Sequence, residues 1–190
     1  MSNTSRAGAK VSCRGWVNPL AEPEIAVYLG EDVEEPDRAV EAISGLGWAI
    51  DLADIDSPPE DIGDVLAGNI FHRAVILGAP NPTRADGDVA EMRARVTKNG
   101  SEVADATDLE ALTGDIVSIL GHTAALLGAA WEKLRAGEVL IMGSVIARYR
   151  CNRETRSLSS WLHCADLGEG LDPGALDRLP NPRRIQWEAQ

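Results

Sequence analysis

Four short apolar segments, each bounded by glycine, proline or a polar turn, predict the strands of a sheet. Their residues are largely aliphatic and β-branched, which suits a pleated, partly buried surface. In the second segment Ile50 and Leu52 alternate with Asp51, so the carboxylate is expected on the face opposite to the two apolar side chains. The four segments are Glu24–Leu29, Trp48–Asp54, Arg73–Leu77 and Glu138–Met142.

A hairpin is predicted where Lys98-Asn99-Gly100 separates the segments Met92–Thr97 and Ser101–Asp105. Asn-Gly is the preferred two-residue turn because both residues accept a positive φ. The two flanking segments are therefore expected to pair as antiparallel strands.

Helical spacing appears first after Pro36, a residue that suits the first turn of a helix. Three apolar residues then recur at helical intervals, and we expect this helix to end at Gly45 or Gly47. The three residues are Val40, Ile43 and Leu46.

Two further helices are predicted downstream. A short one is expected from about Glu60 to Ala67, directly after a pair of prolines. Thr123 is placed to cap a longer helix that runs to Leu134 and ends at Gly137. The segment 109–119 is too short and too uniformly apolar to separate helix from strand.

The 190 residues suit one domain with a buried core and are rather few for two. Strands interspersed with helices predict a mixed α/β fold. Residues 1–17 are expected to form an irregular leader because glycine and proline interrupt any periodicity. The pattern decays after residue 145, so 146–190 is expected to be a divergent tail on the core at 18–145.

The formal net charge of −12 restricts the binding partners. Nucleic acid and anionic membrane surfaces both require clustered lysine and arginine, so neither is expected as a partner. An acidic small molecule remains compatible with this charge if a bound cation reverses the local field.

The cysteines and the N-terminus indicate a cytoplasmic protein. Three cysteines (Cys13, Cys151 and Cys164) lack CxxC spacing, which disfavours a disulfide framework and favours buried or incidental thiols. The first residues are polar and have no apolar stretch of the kind found in signal peptides.

Three carboxylates could hold a metal ion. Glu22 and Glu24 lie two apart at the entry to a strand, so their side chains point the same way. Asp51 lies on the next strand and would join them if the two strands are neighbours. Two readings remain open from spacing alone: a solvated acidic strand face, which is the commoner case, and a site for a hard cation such as Mg²⁺ or Ca²⁺.

Other polar positions carry weaker signals. His122 precedes a predicted helix, where it could act as an acid or base or simply pack. Ser144 follows a strand and could donate a hydrogen bond to a ligand, although an ordinary turn serine is nearly as compatible. His72 and His163 are isolated and lack metal-ligand spacing. The sequence contains no phosphate-binding loop, dinucleotide fingerprint, zincin motif or serine-hydrolase motif.

A longer match links these residues to a known family. The chain resembles the 2-keto-4-pentenoate hydratases, 2-oxo-hept-3-ene-dioate hydratases and 4-oxalocrotonate decarboxylases of the fumarylacetoacetate hydrolase superfamily. The resemblance covers residues 18 to about 145, in the same order and with similar spacing. It rests on the segments Asn18–Val33, Ala49–Asp54, Asp61–Asn69, Val75–Gly78, Val96–Val103, Ile119–Ala125 and Leu134–Ser144.

The resemblance implies a curled mixed β-sheet core with flanking helices and an oligomeric assembly. It also implies that Glu22, Glu24 and Asp51 hold Mg²⁺ or Mn²⁺, which chelates a small 2-oxo acid and stabilises its enolate as a Lewis acid. Ser144 would then help to hold the substrate. The family usually has Glu where this chain has Asp51.

Two functional hypotheses follow from the resemblance. The first is a metal-dependent lyase, a hydratase or decarboxylase, acting on a 2-oxo acid; tautomerisation uses the same chemistry. The second is a catalytically degenerate relative that serves as a structural subunit of a homologous enzyme. Family members carry a lysine acid/base in an N-terminal region for which Lys10 has no matching context. His122 or a metal-bound water are then the candidates for the proton transfer. A homo-oligomer or a complex with a homologue is expected in either case.

Overall fold

The computed structural model describes residues 3–6, 11–56, 62–98, 101–151 and 162–165. Within these ranges two sheets account for the strands. The larger has the order β1-β4-β3-β2-β7, and β8 pairs with β2; the smaller has the order β6-β5-β9. The strands are β1 (Asn3–Arg6), β2 (Pro19–Leu29), β3 (Ile43–Asp54), β4 (His72–Leu77), β5 (Ala94–Lys98), β6 (Ser101–Ala106), β7 (Val139–Ser144), β8 (Tyr149–Arg150) and β9 (Leu162–Ala165).

The larger sheet is mixed, because β1 runs parallel to β4 while the other pairs are antiparallel. The α-helices of the described residues are α1 (Ile62–Ala67) and α2 (Ile116–Ala129), and short 3-10 helices span Pro36–Ala42, Asn69–Phe71 and Pro82–Arg84. The predicted mixed α/β class is confirmed, as are the four predicted strands: three lie within β2, β3 and β4, and the fourth overlaps β7, which begins one residue later at Val139.

The two faces of the larger sheet differ in what covers them. One face carries Ile25, Ile50 and Leu52 and belongs to the main apolar core. Helix α2 packs on that face through the buried Ile116 and Leu120. The other face carries a smaller cluster of buried residues: Ala26, Tyr28, Ala49, Val75 and Leu77. Because successive side chains of a strand alternate, the carboxylates of β2 and β3 share the face of this smaller cluster.

The predicted hairpin is confirmed, since β5 and β6 pair as antiparallel strands. Its turn residues 99–100 lie outside the described residues. The predicted short helix is present as α1, whose described part begins at Ile62.

The helix predicted after Pro36 was wrong beyond its first turns. A 3-10 helix ends at Ala42, and the residues from Ile43 onward form β3. Gly45 and Gly47 are strand positions that allow the backbone of residues 79–81 to approach. A Cβ at Gly45 would lie 2.6 Å from the carbonyl oxygen of Asn81, and one at Gly47 would lie 2.9 Å from that of Ala79. The glycines therefore mark a close backbone approach and not a helix end.

The helix predicted to begin at Thr123 begins earlier, after Asp115. The Asp115 carboxylate accepts a hydrogen bond from the backbone N–H of Ser118 at 2.6 Å and caps α2. Thr123 lies inside the helix, where its hydroxyl donates to the carbonyl oxygen of Ile119 at 2.8 Å. Leu134 lies after the helix and is buried in the main apolar core.

The segments expected to be irregular contain strands. The prediction of an irregular leader was wrong for residues 3–6, which form β1 alongside β4. Strands β8 and β9 lie in the segment expected to diverge. The end of the predicted divergent tail, from residue 166, lies outside the described residues. Cys13 and Cys151 are buried thiols, as expected from the sequence.

Candidate metal centre

Glu22, Glu24 and Asp51 meet on one face of the sheet. Strands β2 and β3 are neighbours, and Glu22 is the direct partner of Asp51 in their antiparallel register. Glu24 lies two residues further along β2 and therefore points to the same side. The condition set by the sequence, that the two strands must be neighbours, is met.

The three side chains are close enough to share one ion. One carboxylate oxygen from each lies within 4.8 Å of the other two. Hard cations bind oxygen at about 2.0 to 2.6 Å, so two ligand oxygens on opposite sides of an ion lie about 4.0 to 5.2 Å apart. Glu24 and Asp51 are buried, and Glu22 is partly buried. The donor set and its spacing fit a divalent hard cation.

A bulge between β2 and β7 supplies a backbone donor to this group. The register of the pair shifts between Glu24 and Ala26, and Gly143 takes a positive φ of 94° there. Its N–H donates to Oε2 of Glu24 at 2.9 Å. One oxygen of Glu24 is therefore fixed while the other stays available.

Side-chain donors approach the other two acids. Nη1 of Arg148 lies 3.8 Å from Oε1 of Glu22. Nδ1 of His72 lies 2.5 Å from Oδ1 of Asp51. His72 carried no signal in the sequence because it belongs to no motif; an irregularity in strand pairing brings it to the site.

The electrostatics of the group favour a bound cation. Burial, together with the nearby charge of Asp51, raises the pKa of Glu22, although Arg148 acts in the opposite direction. Burial raises the pKa of Glu24 to about 7; the Gly143 N–H opposes this rise, and the charges of Asp51 and Glu22 add to it. Both glutamates therefore carry their negative charge at a cost that a cation would relieve.

Ser144 lies beside these carboxylates. It is the direct partner of Glu24 in the β2–β7 register. The backbone N–H of the next residue, Val145, donates to the carbonyl oxygen of Pro23 at 3.0 Å and anchors this end of β7. The predicted substrate-binding residue is therefore next to the predicted metal ligands.

His122 is not brought to this group. It lies in the middle of α2 with an exposed side chain. That helix covers the face of the sheet opposite to the carboxylates. Among the contacts of the described residues, none joins His122 to Glu22, Glu24 or Asp51.

Comparison with known proteins places the chain in a family. The model of the family described as "Fumarylacetoacetate (FAA) hydrolase C-terminal" matches residues 2–166. A 2-hydroxyhexa-2,4-dienoate hydratase of Comamonas testosteroni is 30% identical over 146 residues, which cover 73% of this chain and 55% of the relative. A 4-oxalocrotonate decarboxylase of Pseudomonas sp is 27% identical over 147 residues, covering 74% and 56%. The chain thus spans about half the length of the curated relatives it matches.

Solved structures share the fold. A 4-oxalocrotonate decarboxylase from Pseudomonas putida G7, complexed with magnesium and adipate, aligns with a TM-score of 0.68 at 21% identity, covering 78% of this chain and 59% of that one. A fumarylpyruvate hydrolase from Pseudomonas aeruginosa, in complex with Mn²⁺ and pyruvate, aligns with a TM-score of 0.54 at 13% identity, covering 78% and 65%. The chain belongs to the fumarylacetoacetate hydrolase family.

Proposed function

We propose that this chain is a metal-dependent lyase, a hydratase or decarboxylase, acting on a small 2-oxo acid. The observation that carries the proposal is the convergence of Glu22, Glu24 and Asp51 within 4.8 Å on one sheet face. The hydratase and decarboxylase relatives, and the magnesium and manganese complexes of the structural neighbours, support the reaction class and the metal.

The three carboxylates are proposed to hold Mg²⁺ or Mn²⁺. When bound, this ion would supply the positive charge that a 2-oxo acid needs to bind and to lose a proton beside an acidic wall. Glu22 and Glu24 are held by one rigid strand, and Pro23 between them restricts the backbone. The strand therefore presents two ligands without the entropy cost of ordering a loop.

Ser144 is proposed to orient the substrate. As the neighbour of Glu24 across the strand pair, its hydroxyl can donate to a substrate oxygen next to the ion. Arg148, near Glu22, adds a positive charge at the same end of the sheet for a second carboxylate of the substrate.

The proposal is tested by proton exchange, because hydration, decarboxylation and tautomerisation through a metal-stabilised enolate all include a proton transfer to or from that enolate. Pyruvate or 2-oxopentanoate is incubated in D₂O with Mg²⁺ and the protein, and deuterium at C3 is followed by NMR. We expect exchange above the rate with Mg²⁺ alone, and loss of this excess in the Glu22→Gln/Glu24→Gln variant. Glu41→Gln, which changes an exposed carboxylate paired with Arg38, is the matched control.

Oxalate provides a second readout because it mimics a 2-oxo acid enolate. With Mg²⁺ present, oxalate is expected to raise the melting temperature further than Mg²⁺ alone. A wild-type protein that neither exchanges C3 protons nor responds to oxalate would contradict the enzymatic proposal. That result would favour the non-catalytic subunit instead.

A further inference from the structure

His72 reaches the carboxylate face because the pairing of β3 with β4 is irregular. Asp51 pairs with Val75. Regular pairing would therefore set Ala53 opposite Arg73, but Ala53 pairs with His72. The extra residue on β4 turns His72 onto the face of Ala53. Asp51 shares that face, because it lies two residues from Ala53 on the same strand.

The backbone directly before His72 has an unusual conformation. Asn69, Ile70 and Phe71 all have positive φ, at 56°, 52° and 63°. A β-branched residue such as Ile70 adopts this region only at an energetic cost. The chain therefore enters β4 through a strained turn, directly before the residue that contacts Asp51.

The contact itself is short and shielded from solvent. Nδ1 of His72 lies 2.5 Å from Oδ1 of Asp51. The two side chains are only 14% and 12% exposed. A carboxylate held through one oxygen has a restricted orientation, and its second oxygen stays available to a cation.

Two of the acids have a hydrogen-bond partner on one oxygen, and the third, Glu22, has a positive charge 3.8 Å away. Gly143 donates to Glu24, and Arg148 lies near Glu22. His72 is the corresponding partner of Asp51. Groups that hydrogen-bond a ligand in this way orient it, and their removal typically weakens metal binding by about 10 to 100-fold.

We propose that His72 is a positioning residue for the metal centre: its Nδ1–H holds one oxygen of Asp51 so that the other faces Glu22 and Glu24. This inference rests on the proposed function, because it assumes that the three acids bind an ion. It assigns His72 no contact with the metal.

The test measures Mn²⁺ affinity of the full chain from the EPR signal of free Mn²⁺. His72→Phe keeps a ring but removes the donor, whereas His72→Asn keeps an N–H near the position of Nδ1. We expect at least about tenfold weaker binding in His72→Phe and near wild-type binding in His72→Asn. Circular dichroism in EDTA checks that both variants fold.

The outcomes separate this inference from the proposed function. A wild-type protein that binds no Mn²⁺ overturns both. If His72→Phe binds Mn²⁺ as tightly as the wild type does, only the proposed role of His72 is overturned. Equal losses of Mn²⁺ affinity in His72→Phe and His72→Asn also overturn it, because an N–H donor at this position would then not maintain metal binding.

A measurement on the unmodified protein covers the case in which His72→Phe does not fold. The chain has three histidines, so ¹⁵N-labelled imidazole signals can be assigned with the His122→Gln and His163→Gln variants. We expect the His72 Nδ1 to carry its proton both without and with Mg²⁺. Loss of that proton on Mg²⁺ addition would identify His72 as a ligand and overturn the positioning role.

Discussion

Glu22 on β2 and Asp51 on β3 are direct partners, so two carboxylates face each other across adjacent antiparallel strands. Like charges in this position destabilise a strand pair. Glu24 adds a third negative group, and burial raises the pKa of both glutamates. Without a ligand, the repulsion among the three carboxylates destabilises the folded state, and a bound cation would remove that repulsion. This difference is the physical basis of the proposed metal centre.

This balance predicts that adding a metal ion changes which protein has the higher melting temperature, the wild type or the Glu24→Gln variant. In Glu24→Gln the amide oxygen can still accept from Gly143, but the buried charge is gone. In EDTA at neutral pH we expect the variant to melt at or above the wild type. With Mn²⁺ at a hundredfold excess over Kd, the wild type should gain about 2.7 kcal/mol and melt higher. Thermal melts followed by circular dichroism give the melting temperatures of both proteins with and without Mn²⁺. If the same protein melts higher under both conditions, the prediction is contradicted.

Asp54 is predicted to stabilise the fold without taking part in metal binding. Its buried carboxylate accepts hydrogen bonds from the backbone N–H of Val17 at 2.9 Å and of Asn18 at 2.7 Å. Asp54→Ala leaves these donors without their partner, which should lower the free energy of unfolding by about 1–3 kcal/mol in a urea titration. Asp56→Ala, which removes a partly exposed partner of Arg73, is the control and should cost less than about 1 kcal/mol.

Gly143 is predicted to be intolerant of a side chain for two separable reasons. Its φ of 94° disfavours any L-residue, and an added Cβ would lie 3.0 Å from Cγ2 of Thr113. Gly143→Ala should therefore reduce stability by about 1–2 kcal/mol and weaken Mn²⁺ binding by misplacing the donor to Glu24. Adding Thr113→Ser removes the close contact but not the backbone strain, so only partial recovery is expected. Full recovery in the double variant would show that the backbone conformation is unimportant.

Asp115 is predicted to link the stability of α2 to pH. Its hydrogen bonds with Ser118 lower the pKa of the Asp115 carboxyl from its ordinary value of 3.8. A carboxyl with a lowered pKa in the folded state stabilises the protein above its unfolded pKa, and this contribution is lost as pH falls through the folded pKa. Asp115→Ala should cost about 1 kcal/mol at neutral pH. The cost should vanish at the acid end of a urea titration series, and a pH-independent cost would contradict the ionised cap.

The acid/base role predicted for His122 can be tested directly. Because α2 covers the face opposite to the carboxylates, we expect His122→Gln to leave Mn²⁺ affinity and C3 proton exchange at the wild-type level. A loss of exchange of tenfold or more, at unchanged Mn²⁺ affinity and melting temperature, would instead support the catalytic prediction. Leu126→Gln, a change of an exposed side chain on the same helix, serves as the control.

The shared face of Glu22 and Glu24 could be predicted because it depends on local periodicity, whereas their assignment as metal ligands came from the family resemblance. Residues two apart on a strand share a face, which placed Glu22 beside Glu24. Alternation with Ile50 and Leu52 likewise set Asp51 away from the core. The helix predicted after Pro36 was wrong because Ile43 and Leu46 belong to β3, where Gly45 and Gly47 admit a neighbouring backbone. The spacing of residues within one segment gives no information about which other segment packs against it.

The sequence by itself determined where β2, β3, β4 and β7 of the larger sheet lie and which side of β2 and β3 carries acid, since both follow from the order of apolar and polar residues along one segment. Only the tertiary structure decided that Glu22 faces Asp51, that the bulge at Gly143 aims an N–H at Glu24, and that an extra residue in β4 turns His72 toward Asp51. These features depend on register between segments far apart in the chain. A shift of one residue reverses the face of every side chain, and only the packing of the whole sheet fixes that choice.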